Sequence, residues 1–142
     1  MSVIWSICGA GRGVGKTTVA LRLCEVLPES IYAKCGHGRR KPGKNCNFFN
    51  NIKDTKSFIN SALYKYKHII IESNILAKLD NNDIIIFIDG IEGKTNFRKD
   101  AEQLRAVANI KISCKADMAD WKEILYTKIS SKNICSLDIQ CF

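Results

Sequence analysis

The stretch "AGRGVGKT", residues 10–17, sets three glycines at alternate positions and follows the last of them with a lysine and a hydroxyl residue. Successive backbone N–H groups in such a turn can curl round an anion, and the dipole of a following helix adds a favourable field. Gly11, Gly13 and Gly15 let the backbone approach without a Cβ in the way. Lys16 would then reach terminal phosphates and the Thr17 hydroxyl would ligate Mg²⁺, which makes Ala10, Gly11, Arg12, Gly13, Val14, Gly15, Lys16, Thr17 and Thr18 the candidate phosphate-binding residues. Ala10 stands where this pattern usually opens with glycine. A turn that needed glycines only for tightness would leave the Lys16–Thr17 pair unexplained.

A magnesium phosphate also needs a carboxylate, commonly at the end of an apolar strand. Two positions qualify, Glu72 in "HIIIESN" and Asp89 in "IIIFIDG". Either could serve as the magnesium and water-positioning acid, and with Lys16 the two form the expected catalytic set. Base recognition has one candidate, "SCKAD" at 113–117, where Asp117 could accept both ring-edge hydrogens of guanine and the Lys115 stem could lie along the base. Cys35, His37 and Cys46 offer thiolate and imidazole for a transition metal, without a tight C-x-x-C clip.

These residues need elements to hold them. Short β-branched runs at 3–8, 31–34, 68–72, 84–89 and 109–113 are expected as buried parallel strands. Between them fall segments of helical spacing. Residues 17–27 carry Val19, Leu23 and Val26 on one face, and residues 55–66 carry Phe58, Ala62 and Tyr66, opened by Asp54 as N-cap. Residues 97–107 and 119–125 continue the helices, and 134–139 read as a last strand. The alternation predicts an α/β fold with a mostly parallel sheet flanked by helices, its ligands beyond the carboxyl ends of the strands. "CGHGRRKPGKNCNFFNN", residues 35–51, reads as one irregular connection on that rim.

With 142 residues and 46% hydrophobic content, the chain has the size of one domain. It shows no apolar run of ~20 residues and no basic leader, so a cytoplasmic protein is expected. Seven cysteines cannot all pair internally, which fits a reducing compartment. The net charge of +8 favours anionic partners, with Lys34, Arg39, Arg40, Lys41 and Lys44 clustered. No aromatic platform or zinc-finger spacing accompanies them, so nucleic acid is not an expected partner.

Together these segments resemble the cofactor-maturation branch of the P-loop NTPases. "AKCGHGRRKPGKNCNFF" is similar to the segment after the second strand in the molybdopterin-guanine dinucleotide biosynthesis protein B family, with Lys34, His37, Pro42, Gly43 and Lys44 at matching places and Asn45 where that family has aspartate. "IIIESN", "FIDGIEGKTNFRK" and "SCKAD" look more like the accessory GTPases of urease and hydrogenase maturation, though Cys114 replaces the usual first residue of their guanine motif and no Cys-Pro-His element is present. The resemblance implies a three-layer P-loop NTPase fold and the choice of Glu72 as magnesium acid. It further implies GTP, or ATP, with Mg²⁺, slow hydrolysis and a homodimer that serves a protein partner in molybdenum cofactor biosynthesis. His37 would then help Arg39, Arg40 and Lys44 to receive an anionic pterin or phosphate. A nickel-type metallochaperone GTPase, a small-molecule kinase and a non-catalytic nucleotide switch share the phosphate turn and stay open.

Overall fold

The computed structural model describes residues 2–36, 46–79 and 82–112. Ten elements follow one another: β1 (Val3–Gly9), α1 (Lys16–Val26), β2 (Ser30–Cys35), β3 (Cys46–Phe49), α2 (Ile52–Ala62), β4 (His68–Glu72), a 3₁₀ turn (Leu76–Lys78), β5 (Ile84–Ile88), α3 (Ala101–Val107) and β6 (Ile110–Ile112). The strands form one six-stranded sheet in the order β3-β2-β4-β1-β5-β6. Every pairing is parallel, which accounts for the unbroken isoleucine runs, because such a sheet is covered on both faces.

Strand parity divides the core into two layers. Trp5, Ile7, Tyr32, Ile70, Ile84, Ile86, Ile88, Ile110 and Ile112 pack with Val19, Ala20, Leu23 and Val26 of α1 on one face. On the other, Cys8 and Phe87 pack with Ala101 and Leu104 of α3, while Ala33, Ile69 and Ile71 pack with Ala62 of α2 and Leu76. The result is a three-layer α/β fold. Among the described residues, no helix is long and apolar enough to cross a membrane.

The elements differ from expectation in four places. Residues 46–49 are a strand, β3, because Tyr32 to Cys35 of β2 supply a parallel partner. Helix α2 opens three residues early, for a physical reason. Asn51 Oδ1 accepts from the Asp54 backbone N–H at 2.8 Å while Asn51 Nδ2 donates to Asp54 Oδ2 at 2.9 Å, so Asn51 is the cap and Asp54 its reciprocal partner. Helix α3 starts only at Ala101, since Phe97 is drawn into an antiparallel bridge with Gly11. The 3₁₀ turn was not foreseen, and Ser73 Oγ starts it by accepting from Leu76 N–H at 3.2 Å. The expected helix at 119–125 and strand at 134–139 lie outside the described residues.

Candidate phosphate and magnesium site

The glycine turn leaves β1 at the carboxyl rim of the sheet and feeds α1. Gly13 and Gly15 have φ of 73° and 104°, left-handed backbone that favours glycine, and Gly15 is the N-cap of α1. Two other glycines are required by space. A Cβ on Gly9 would come within 2.7 Å of Val14 Cγ2 and 3.0 Å of the Lys16 stem, which folds back over the end of β1. One on Gly11 would meet the Asn96 carbonyl oxygen at 2.4 Å. The consequence is a run of free donors: from Gly13 to Thr18, the backbone N–H groups have no hydrogen-bond acceptor among the described residues. Such unpaired N–H groups at the start of a helix are the anion-binding feature of the motif.

Thr17 and Glu72 are brought together. The Thr17 hydroxyl lies 3.0 Å from Oε1 and 2.9 Å from Oε2 of Glu72, and can donate its one hydrogen across both. The register explains the meeting: Glu72 shares the parity of Ile70, whose side faces α1, and α1 carries Thr17 in its first turn. Glu72 is buried and has two further partners, the Tyr32 hydroxyl, which donates to Oε2, and Lys34 Nζ at 3.2 Å from Oε1. Both come from β2, where Lys34 stands beside Glu72 in the parallel register. Two oxygen donors side by side at the mouth of a phosphate turn suit a hard divalent cation such as Mg²⁺.

The local field is set mainly by cations. Burial lowers the Lys16 pKa, Glu72 opposes that shift, and the neighbouring Arg98 and Lys34 charges add to it. Arg98 arrives from the β5–α3 connection, which is stitched to the glycine turn by Arg98 N–H donating to the Ala10 carbonyl at 2.8 Å and by the Gly11–Phe97 bridge. An anion at the turn would meet Lys16 together with two cations that already hold carboxylates, Lys34 on Glu72 at 3.2 Å and Arg98 on Asp100 at 3.1 Å. Cys8, below this group, is inert by the same burial, its thiol pushed up to about 12.

Asp89 is held elsewhere. Its carboxylate takes a 2.8 Å ion pair from Arg105 of α3 and a 2.9 Å hydrogen bond from Gly90 N–H, so it is turned toward the α3 layer and not to the Thr17–Glu72 pair. Arg105 keeps its pKa low, and the guanidinium is itself seated 5.3 Å from the centre of the Phe87 ring. Arg12 and Thr18 are exposed on the turn. Cys35 and Cys46 sit at opposite ends of the β2–β3 pairing, since Cys46 stands beside Tyr32 and Cys35 beside Phe49. Three residues of strand separate the two positions by about 10 Å. His37, the basic residues from Arg39 to Lys44, and Cys114, Lys115 and Asp117 lie outside the described residues, and among those described no cluster of three metal-ligating side chains occurs.

Three participants escaped the sequence reading: Tyr32, Arg98 and Asn74. Asn74 is the most consequential, because its side chain grips the backbone of Gly9, Oδ1 accepting from Gly9 N–H at 3.1 Å and Nδ2 donating to Gly9 C=O at 3.4 Å. β4 has by then ended, and Ser73 N–H makes the last main-chain bond to β1, at Ile7 C=O. The Asn74 amide thus acts as one more peptide unit of the sheet, and it fixes the residue from which the glycine turn departs. The signal was present as an amide two residues beyond a buried strand acid. Compared with protein-family models, with curated proteins and with solved structures, the chain matches none.

Proposed function

We propose that the chain binds a nucleoside triphosphate with Mg²⁺ at residues 10–18 and hydrolyses it slowly. The observation that carries this reading is the run of N–H groups from Gly13 to Thr18 that have no acceptor among the described residues, set directly beside the Thr17–Glu72 pair. Lys16 and Arg98 supply positive charge to the phosphates, and Thr17 and Glu72 would hold the metal. A metal held by these two residues would supply charge neutralisation at the phosphates. Turnover is expected to be slow because the Glu72 carboxylate is already engaged by Thr17, Tyr32 and Lys34, which leaves it poorly placed to orient a water.

The resemblance of residues 34–45 and 113–117 to cofactor-maturation GTPases makes GTP the expected nucleotide and an accessory role in molybdenum cofactor biosynthesis the expected setting. Parallel titrations with GTP and ATP in the presence of Mg²⁺, with Lys16→Ala as control, test both levels. A lysine–phosphate contact is worth about 1.5–3 kcal/mol, so Lys16→Ala should weaken binding roughly 10- to 150-fold. Unchanged affinity would refute the phosphate site. Preference for GTP supports the guanine assignment, and preference for ATP transfers the reading to a kinase or nucleotide switch.

A further inference from the structure

The Glu72 carboxylate has about four acceptor positions, two on each oxygen. Three donors engage them: Thr17 with one hydrogen shared across both oxygens, Lys34 on Oε1 and Tyr32 on Oε2. A metal ion approaching Oε1 meets the Lys34 ammonium already seated there, at 3.2 Å. Tyr32 is packed in the core and can leave only by opening it. Thr17 can stay, because its hydroxyl oxygen keeps lone pairs for a cation while its hydrogen remains on Glu72. Lys34 is different. Its side chain is 33% exposed, its stem is flexible, and its positive charge repels any arriving cation.

We infer that Lys34 and a divalent cation compete for Glu72: the ammonium neutralises the buried acid until metal arrives, and is released to the phosphate rim when it does. This regulatory role rests on the magnesium site proposed above. It gives a buried carboxylate a counter-charge in both states, which a carboxylate so placed requires. It also supplies one further cation to the phosphates at the moment the metal is loaded. The sequence places Lys34 for the task, two residues after Tyr32 on the same face of β2 and in register with Glu72.

The test is a titration of the intact protein with Mn²⁺ alone, followed by the loss of the free-ion electron paramagnetic resonance signal. Lys34→Met should bind Mn²⁺ at least about tenfold more tightly than the unsubstituted chain, a gain of about 1.4 kcal/mol. Lys34→Arg should bind as weakly as the unsubstituted chain, and Glu72→Gln added to Lys34→Met should abolish the gain. Damage to the fold would weaken metal binding, so the sign of the change separates competition from disruption. If Lys34→Met binds Mn²⁺ no more tightly, or if its gain survives Glu72→Gln, the competition is refuted. Nucleotide is absent from this titration, so failure to bind GTP or ATP in the parallel experiment would overturn the nucleotide reading without deciding this one.

Discussion

Replacing Asn74 should loosen the glycine turn through the sheet. Asn74→Ala deletes the only described partners of the Gly9 N–H and C=O on the side where β4 has ended. The 3.1 Å bond from Gly9 N–H is the stronger, and losing it leaves a buried donor unsatisfied at a cost of about 1–3 kcal/mol. The 3.4 Å bond is long and adds little, so the expected total is about 2 kcal/mol. For a chain of 142 residues this corresponds to a fall in Tm of roughly 6–8 °C.

Urea unfolding followed by far-UV circular dichroism measures the loss directly. Asn74→Asp provides the discriminating control. It keeps an acceptor for Gly9 N–H but removes the donor to Gly9 C=O and buries a charge, so at neutral pH it should be less stable than Asn74→Ala. Burial raises the pKa of the introduced acid in the folded state, and only its protonated form can donate to Gly9 C=O. Its stability relative to Asn74→Ala should therefore rise as pH falls through that raised value. A loss below about 0.5 kcal/mol in Asn74→Ala, or an Asn74→Asp variant indifferent to pH, would refute the idea that this amide serves as a peptide unit of the sheet.

Two more predictions concern the same rim. Gly11→Ala should destabilise more than Gly13→Ala, because its Cβ meets the Asn96 carbonyl whereas the Gly13 Cβ meets nothing within 4 Å. Strain at the φ of 73° alone should cost Gly13→Ala about 1–2 kcal/mol, and equal losses in denaturant titrations would refute the close approach of the β5–α3 connection. For Asp89, the Arg105 hydrogen bond holds the folded pKa below its ordinary 3.8. The pair therefore stabilises the fold above that value and the contribution fades as pH falls through the depressed one. Asp89→Asn should flatten this acid limb in thermal melts, and an unchanged limb would show that the pair contributes nothing.

Much of the scaffold was legible because a parallel sheet buried on both faces writes itself as apolar runs. Ile69 to Ile71 and Ile84 to Ile86 are such runs, and Val19, Leu23 and Val26 gave α1 its inward face. What escaped depends on partners remote in sequence. "CNFF" is too short to declare itself a strand until Tyr32 to Cys35 lie beside it, and Phe97 reads as helical until Gly11 claims its backbone. Asn74 and Arg98 escaped for the same reason, since each acts on residues of β1 or the turn that only the sheet order brings near.

The choice between the two acids shows that parity carries more information than proximity to a strand end. Glu72 and Asp89 both close apolar strands, and both adjoin β1, through β4 and β5. Yet Glu72 follows the even positions of β4, with Ile70 facing α1, whereas Asp89 follows the odd positions of β5, with Phe87 facing α3. A carboxylate with the parity of Ile70 meets the Thr17 hydroxyl. One with the parity of Phe87 meets Arg105, and the two pairings found are these. Since α1 follows directly on the glycine turn, an acid that meets the first turn of α1 must share the parity of the core residues that pack on α1. The rule could have been applied to the alternation of the strands once the layer holding α1 was known. It leaves Asp89 the task of fastening α3 to the end of β5, which is what the acid limb of the Asp89→Asn melt would read.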